Sequence, residues 1–90
     1  MLKTVLATAA LAATVTAASA ADPRFCASYA TAAVRQARLA HEVPSCAPGA
    51  IGTRWSLDYG VHYGWCITAS FPAAESERDL RTRYLRSCRR

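Results

Sequence analysis

Four cysteines, Cys26, Cys46, Cys66 and Cys88, stand at nearly even intervals in this 90-residue chain. What precedes them gives them their weight. Lys3 is followed by an apolar run from Thr4 to Ala18 and then by Ala18-Ser19-Ala20. A charged start, a short apolar region and an A-x-A exit describe a secretory signal peptide over residues 1–20, cleaved after Ala20. The run is rich in alanine and threonine, whereas a membrane span calls for about 20 strongly apolar residues. Ala21-Asp22-Pro23 follows, without a lipid-modified cysteine position. The expected address is the periplasm or the outside of the cell, with no transmembrane segment in the mature chain.

Residues 21–90 then form one domain, too small to bury a comfortable core without covalent help. An even number of cysteines in an oxidising compartment supplies that help as two disulfides. Zinc is the competing use of four cysteines, but the spacings contain no C-x2-C pair. No C-x-x-C-H haem site, phosphate loop, G-x-S-x-G or internal repeat occurs, so neither a cofactor nor a metal is expected. Without Lys3 the mature chain carries ten arginines, no lysine and six acids, a formal charge of +4.

The helical pattern is plain at both ends. Asp22-Pro23 reads as an N-cap and first helical position. Between Phe25 and about Ala40 there is neither glycine nor proline. At about 100° per residue, Cys26, Tyr29, Ala30, Ala33, Val34 and Ala37 share one face, with Ser28, Thr31, Arg35 and Arg38 opposite. His41–Gly52 is a linker marked by Pro44, Pro48, Gly49 and Gly52; His41 suits the negative end of the preceding helix. Thr53 is a candidate N-cap for a second helix on which Trp55, Tyr59, His62 and Cys66 cluster. A hairpin turning at Tyr59-Gly60 is the alternative, since aromatic residues and Val61 favour strands. Gly60 and Gly64 are four apart, a spacing that reads as close backbone contact. After a turn over Thr68–Pro72, Ala73–Cys88 is a third helix. It has Glu75 and Glu77 early, Arg83 and Arg86 late, and a stripe of Ala73, Leu80, Tyr84 and Cys88.

Three helices on short connections pack most simply up-down-up. Cys26 begins the first helix and Cys66 ends the second, so both fall at one end. Cys46 precedes the second helix and Cys88 ends the third, so both fall at the other. The expected fold is therefore an all-α, disulfide-stapled three-helix domain with Cys26–Cys66 and Cys46–Cys88 bridges. Its aromatic core is expected from Trp55, Tyr59 and Trp65.

The order Cys26-x-x-Tyr29-Ala30-x-x-Ala33-Val34-x-Gln36, Cys46, Gly52-x-Arg54-Trp55-x-x-Asp58-x-x-x-His62-x-x-Trp65-Cys66 and Cys88 spans nearly all of the mature chain. In it the chain resembles an uncharacterised family of small secreted bacterial proteins. The resemblance implies export and this fold, and it brings no activity with it.

Two groups of side chains are candidates for function. Arg54, Asp58, His62 and Trp65, with Gln36 nearby, form a tentative ligand site in which Asp58 orients His62 beside an aromatic wall. The same polar groups would also satisfy one another inside a small core, with Asp58 paired to Arg54 or His62. The second group is the arginine-rich third helix, where Arg78, Arg81, Arg86 and Arg89 offer a face for an acidic protein, a cell-wall polymer or a lipid surface. Acids on the same helix partly neutralise that face, and nucleic acid is a poor match for an exported chain. Two histidines at unrelated positions, His41 and His62, are a weak basis for a metal site. With the cysteines oxidised no good nucleophile remains, so no catalytic residue is assigned and an enzyme is not expected. The first functional expectation is an exported interaction module using the arginine face or an exposed aromatic patch. The alternative is a small-ligand or metal-binding periplasmic protein centred on Asp58 and His62. A buried, saturated His62 would favour the first, and a solvent-open His62 with a pocket the second.

Overall fold

The computed structural model describes residues 20–90; the expected signal peptide lies outside the described residues but for Ala20. Three α-helices follow one another: α1 (Pro23–Glu42), α2 (Tyr59–Thr68) and α3 (Phe71–Cys88). Single 3-10 turns at Ala47–Gly49 and Thr53–Trp55 punctuate the linker between α1 and α2. The hairpin alternative is thereby excluded, and no helix among the described residues is long and apolar enough to cross a membrane.

Each helix begins at a side-chain cap. Asp22 accepts from the Arg24 amide ahead of Pro23, and Ser70 accepts from the Ala73 amide ahead of Pro72. Both caps satisfy an orphan amide, and the proline has no amide to lose. Asp58 caps α2 by accepting from the Gly60 amide at 2.8 Å. The second helix is therefore shorter than expected and does not start at Thr53. The chain turns instead at Gly52, whose φ of +93° suits glycine, passes through the Thr53–Trp55 turn, and becomes helical only after Asp58. An aspartate that can bond to amides two residues ahead is worth more as a cap than inside a helix.

Both disulfides form as expected, Cys26–Cys66 and Cys46–Cys88. They place α2 antiparallel to α1 and α3 alongside α1 in the same direction, giving the up-down-up arrangement. At one end Ala21 donates its amide to Ala69, tying the start of α1 to the α2–α3 turn.

The core is split into two apolar clusters, each holding one disulfide. The first joins Cys26, Tyr29, Ala33, Cys66 and Ala74, with Phe25 and Tyr63 packed on it. The second joins Ala37, Ala40, Cys46, Ala50, Trp55 and Leu85, flanked by Tyr84. Helix α1 runs through both, and its alanines at 30, 33, 37 and 40 are fully buried. Small side chains there let the other helices approach closely. In the second cluster Tyr84 packs its ring 5.1 Å from that of Trp55 and donates its hydroxyl to the Cys46 carbonyl at 2.7 Å. Gly49 lies under that hydroxyl, where a Cβ would collide with it.

Two aromatic expectations need correction. Trp55 is buried, but Tyr59 and Trp65 are 44 % and 40 % exposed. Because α2 begins four residues later than Trp55, the three rings do not share one helical face. Trp65 meets the core at Tyr29, the two ring centroids 5.7 Å apart.

Candidate functional site

The two apolar clusters are separated by a polar layer that holds the chain's most unusual residue. Arg81 is only 1 % exposed, yet it is charged. Its Nε donates to Gln36 Oε1 at 2.8 Å, and its Cζ lies 5.0 Å above the Tyr29 ring. Gln36 in turn donates through Nε2 to Thr82 Oγ1 at 3.0 Å. Gln36 thus spans the α1–α3 interface. Arg81 leaves the expected arginine face, because the buried stripe of α3 runs through Ala74, Arg81 and Leu85 rather than through Leu80.

The other arginines divide. Arg78 pairs with Glu75 and sits 6.0 Å over the Phe25 ring. Arg86 and Arg89 are exposed near the end of α3. Of the four arginines expected to form that face, only Arg86 and Arg89 are exposed and outside an ion pair among the described residues.

Arg81 forms part of the floor of a cleft of about 400 Å³ bounded by α1, α2, α3 and the Gly52 turn. Its apolar wall is Tyr29, Ile51, Val61 and Trp65; its polar wall is Arg54, His62, Glu77 and Arg81. Arg54 reaches from the 3-10 turn to α3 and clasps both oxygens of Glu77, at 2.8 and 3.0 Å. That carboxylate raises the Arg54 pKa. Three of the four sequence candidates, Arg54, His62 and Trp65, therefore do meet at one place.

Asp58 does not join them. It is exposed, occupied as the α2 cap, and outside the helix, so the four-residue spacing to His62 no longer brings the two side chains together on one helical surface. His62 is instead 3 % exposed and donates Nε2–H to the Ser56 carbonyl at 2.7 Å. His41, at the other histidine position, donates Nε2–H to the Trp55 carbonyl at 2.9 Å. Each imidazole thus pins the backbone of the segment between Gly52 and α2. No three His, Cys, Asp or Glu side chains converge as a metal site among the described residues. No protein-family model, curated protein or solved structure matches this chain.

Burial lowers the His62 pKa; the Ser56 carbonyl opposes that shift, Arg81 adds to it by repulsion, and Asp58 weakly opposes it. The folded protein thus disfavours the imidazolium relative to the unfolded chain, which binds the proton near pH 6.5. Stability is full above that pH and falls as the pH drops from it toward the lower folded value. Thermal unfolding between pH 7.5 and 5 should show a falling Tm, and His62→Gln should flatten that slope. An equal slope in the variant would assign the proton uptake elsewhere.

Local sequence patterns missed Glu77, Tyr29, Ile51 and Arg81 as members of this cleft. A signal existed for one of them: Ala74-x6-Arg81-x3-Leu85 is a helical face with an arginine in its middle. The Arg54–Glu77 clasp joins residues 23 apart in sequence and leaves no local trace.

Proposed function

We propose that this protein is an exported, non-catalytic binding module whose docking surface is the outward side of α2. The two disulfides support an oxidising compartment. The observation that carries the reading is the distribution of exposed large apolar side chains. Among the described residues they are Ile51, Leu57, Tyr59, Val61, Trp65, Ile67 and Phe71, all in one quarter of the chain. Scattered exposed apolar residues mean little, but a cluster of this kind marks an interaction surface.

The glycines of α2 add a second argument. On the helix, Gly60, Gly64 and Thr68 make an outward strip between Val61–Trp65 on one side and Tyr59–Ile67 on the other. A Cβ at Gly64 would meet nothing within 4 Å, and at Gly60 only the oxygen of Asp58. The close backbone contact expected from their spacing is therefore not made among the described residues. A helical glycine is worse than alanine by about 1 kcal/mol, and a strip of small residues admits a partner's backbone. The buried, carbonyl-bonded His62 also favours a module over a ligand site centred on Asp58 and His62.

Gly64 supplies the test. Gly64→Ala should raise the stability of the isolated domain by about 1 kcal/mol in urea unfolding. Gly64→Arg should stay folded but lose any partner that the wild type captures from envelope and secreted fractions, whereas Arg86→Gln should retain it. Capture that survives Gly64→Arg and fails with Arg86→Gln would transfer the function to the arginine end of α3.

A further inference from the structure

We infer that the cleft above Arg81 is a binding site for a small monocarboxylate with a flat apolar body. The inference begins with an unfinished set of bonds. Of the three nitrogens of the Arg81 guanidinium, Nε is bonded to Gln36 and Nη1 stands 3.9 Å from Glu77 Oε1, beyond hydrogen-bond range. Nη2 is buried and has no partner among the described residues. Buried polar groups are paired in the great majority of cases, and an unpaired donor on a charged group is especially unfavourable.

Charge sharpens the chemistry. Among the described residues Glu77 is the one carboxylate lining the cleft, and Arg54 occupies both of its oxygens. His62 is held toward its neutral form by burial. Two guanidiniums against one committed carboxylate leave one positive charge uncompensated, on the side chain most removed from water. A single added negative charge balances it, and a planar carboxylate matches the guanidinium fork.

The walls define the rest of the ligand. Tyr29 and Trp65 present rings at 5.7 Å from one another, and Val61 and Ile51 extend the apolar side. A cleft of about 400 Å³ falls in the range of small-molecule sites, which combine apolar walls with a few placed polar groups. A phosphate or a polyanion would match neither the single free charge nor those walls. The inference goes beyond the docking surface of α2. The two share Val61 and Trp65, but the cleft is tested without any protein partner, so either can fail alone.

The test titrates the oxidised mature protein with benzoate, benzamide and benzylamine, following the Arg81 Nε–H and Trp65 indole signals by NMR. Benzoate should saturate and shift both signals, binding at least tenfold more tightly than benzamide, with benzylamine inert. Arg81→Met should weaken benzoate at least tenfold, and Trp65→Ala several-fold, while Arg86→Gln, which removes an exposed charge of the same sign, leaves it unchanged. Tighter binding of N-acetylphenylalanine than of benzoate assigns the carboxylate to a chain terminus, and the reverse order to a free acid; both orders uphold the site. If Arg81→Met does not fold, the benzoate–benzamide ratio and the Arg81 Nε–H shift in the wild type decide alone. Equal binding of benzoate and benzamide, no shift at Arg81, or an equal loss in Arg86→Gln overturns the inference. So does an experimental structure in which a buried water alone satisfies Nη2 in saturating benzoate.

Discussion

Replacing Cys26 and Cys66 together by alanine should lower the Tm by about 20 °C. The bridge closes a loop across a sequence separation of 40 residues, for which the chain-entropy relation gives about 4 kcal/mol. A domain of this size gains only about 4–10 kcal/mol from folding altogether, and each kcal/mol moves its Tm by about 4–8 °C. Entropy alone would make the Cys46–Cys88 bridge, with a separation of 42, equally important. The surroundings say otherwise. Removing Cys46–Cys88 leaves Trp55 packed on Tyr84, the Tyr84–Cys46 carbonyl bond and the Ser45–Cys88 carbonyl bond at the same end. Removing Cys26–Cys66 leaves α2 tied at that end by the Ala21–Ala69 backbone bond and the Trp65–Tyr29 ring contact, and its ten residues, too few to hold a helix alone, contribute only His62 and Cys66 as buried residues. The Cys26/Cys66 variant should therefore lose the Trp65 near-ultraviolet signal before its overall helicity. The Cys46/Cys88 variant should melt later and in one step. A Cys26/Cys66 variant within about 5 °C of the wild type would sink the stapled-core argument.

How far the chain could be read in advance follows from the range of each interaction. Helix α1 was legible because every signal for it is local: Asp22-Pro23, an uninterrupted run and alanines at helical spacing. The disulfides were legible because cysteines at helix ends restrict which pairs can meet. Helix α2 was misread at its start, where Thr53 and Asp58 both qualify as caps. The choice between them was made by the positive φ at Gly52 and by the His62 and His41 bonds to the Ser56 and Trp55 carbonyls. Those bonds cross 6 and 14 residues and obey no periodic rule. Helix α3 was recognised but rotated by one residue, since Leu80 is the natural core candidate and Arg81 the natural surface one. Gln36, 45 residues away, supplies the acceptor that lets the arginine turn inward. The site followed the same logic. Arg54, His62 and Trp65 were recognisable as polar and aromatic groups near one another, whereas the charge at its base depended on a contact between helices.

Two substitutions of Arg81 should differ widely in stability, and the difference bears on why a charge sits there. Arg81→Ala removes the Nε–Gln36 bond and the cation over Tyr29, and leaves a void beside those two side chains. A loss of about 3 kcal/mol is expected, in the range of buried long side chains cut to alanine. Arg81→Met keeps most of the stem volume and removes both the buried charge and the unpaired Nη2. Exchanging a buried ion for an apolar side chain of similar size is often neutral or stabilising. The lost bond to Gln36 Oε1 opposes that gain by about 1 kcal/mol, so the Met variant should lie within about 1 kcal/mol of the wild type in urea unfolding. Adding Gln36→Leu to Arg81→Met should then recover stability, since it removes the acceptor left without a donor. If Arg81→Met instead falls as far as Arg81→Ala, the guanidinium itself holds the helices together, and the case for a ligand rests on the wild-type benzoate titration alone. If the fold tolerates methionine, the charge between the two clusters is not required for folding. Its remaining use is then in the cleft, where one uncompensated positive group faces a space walled by Tyr29, Val61 and Trp65.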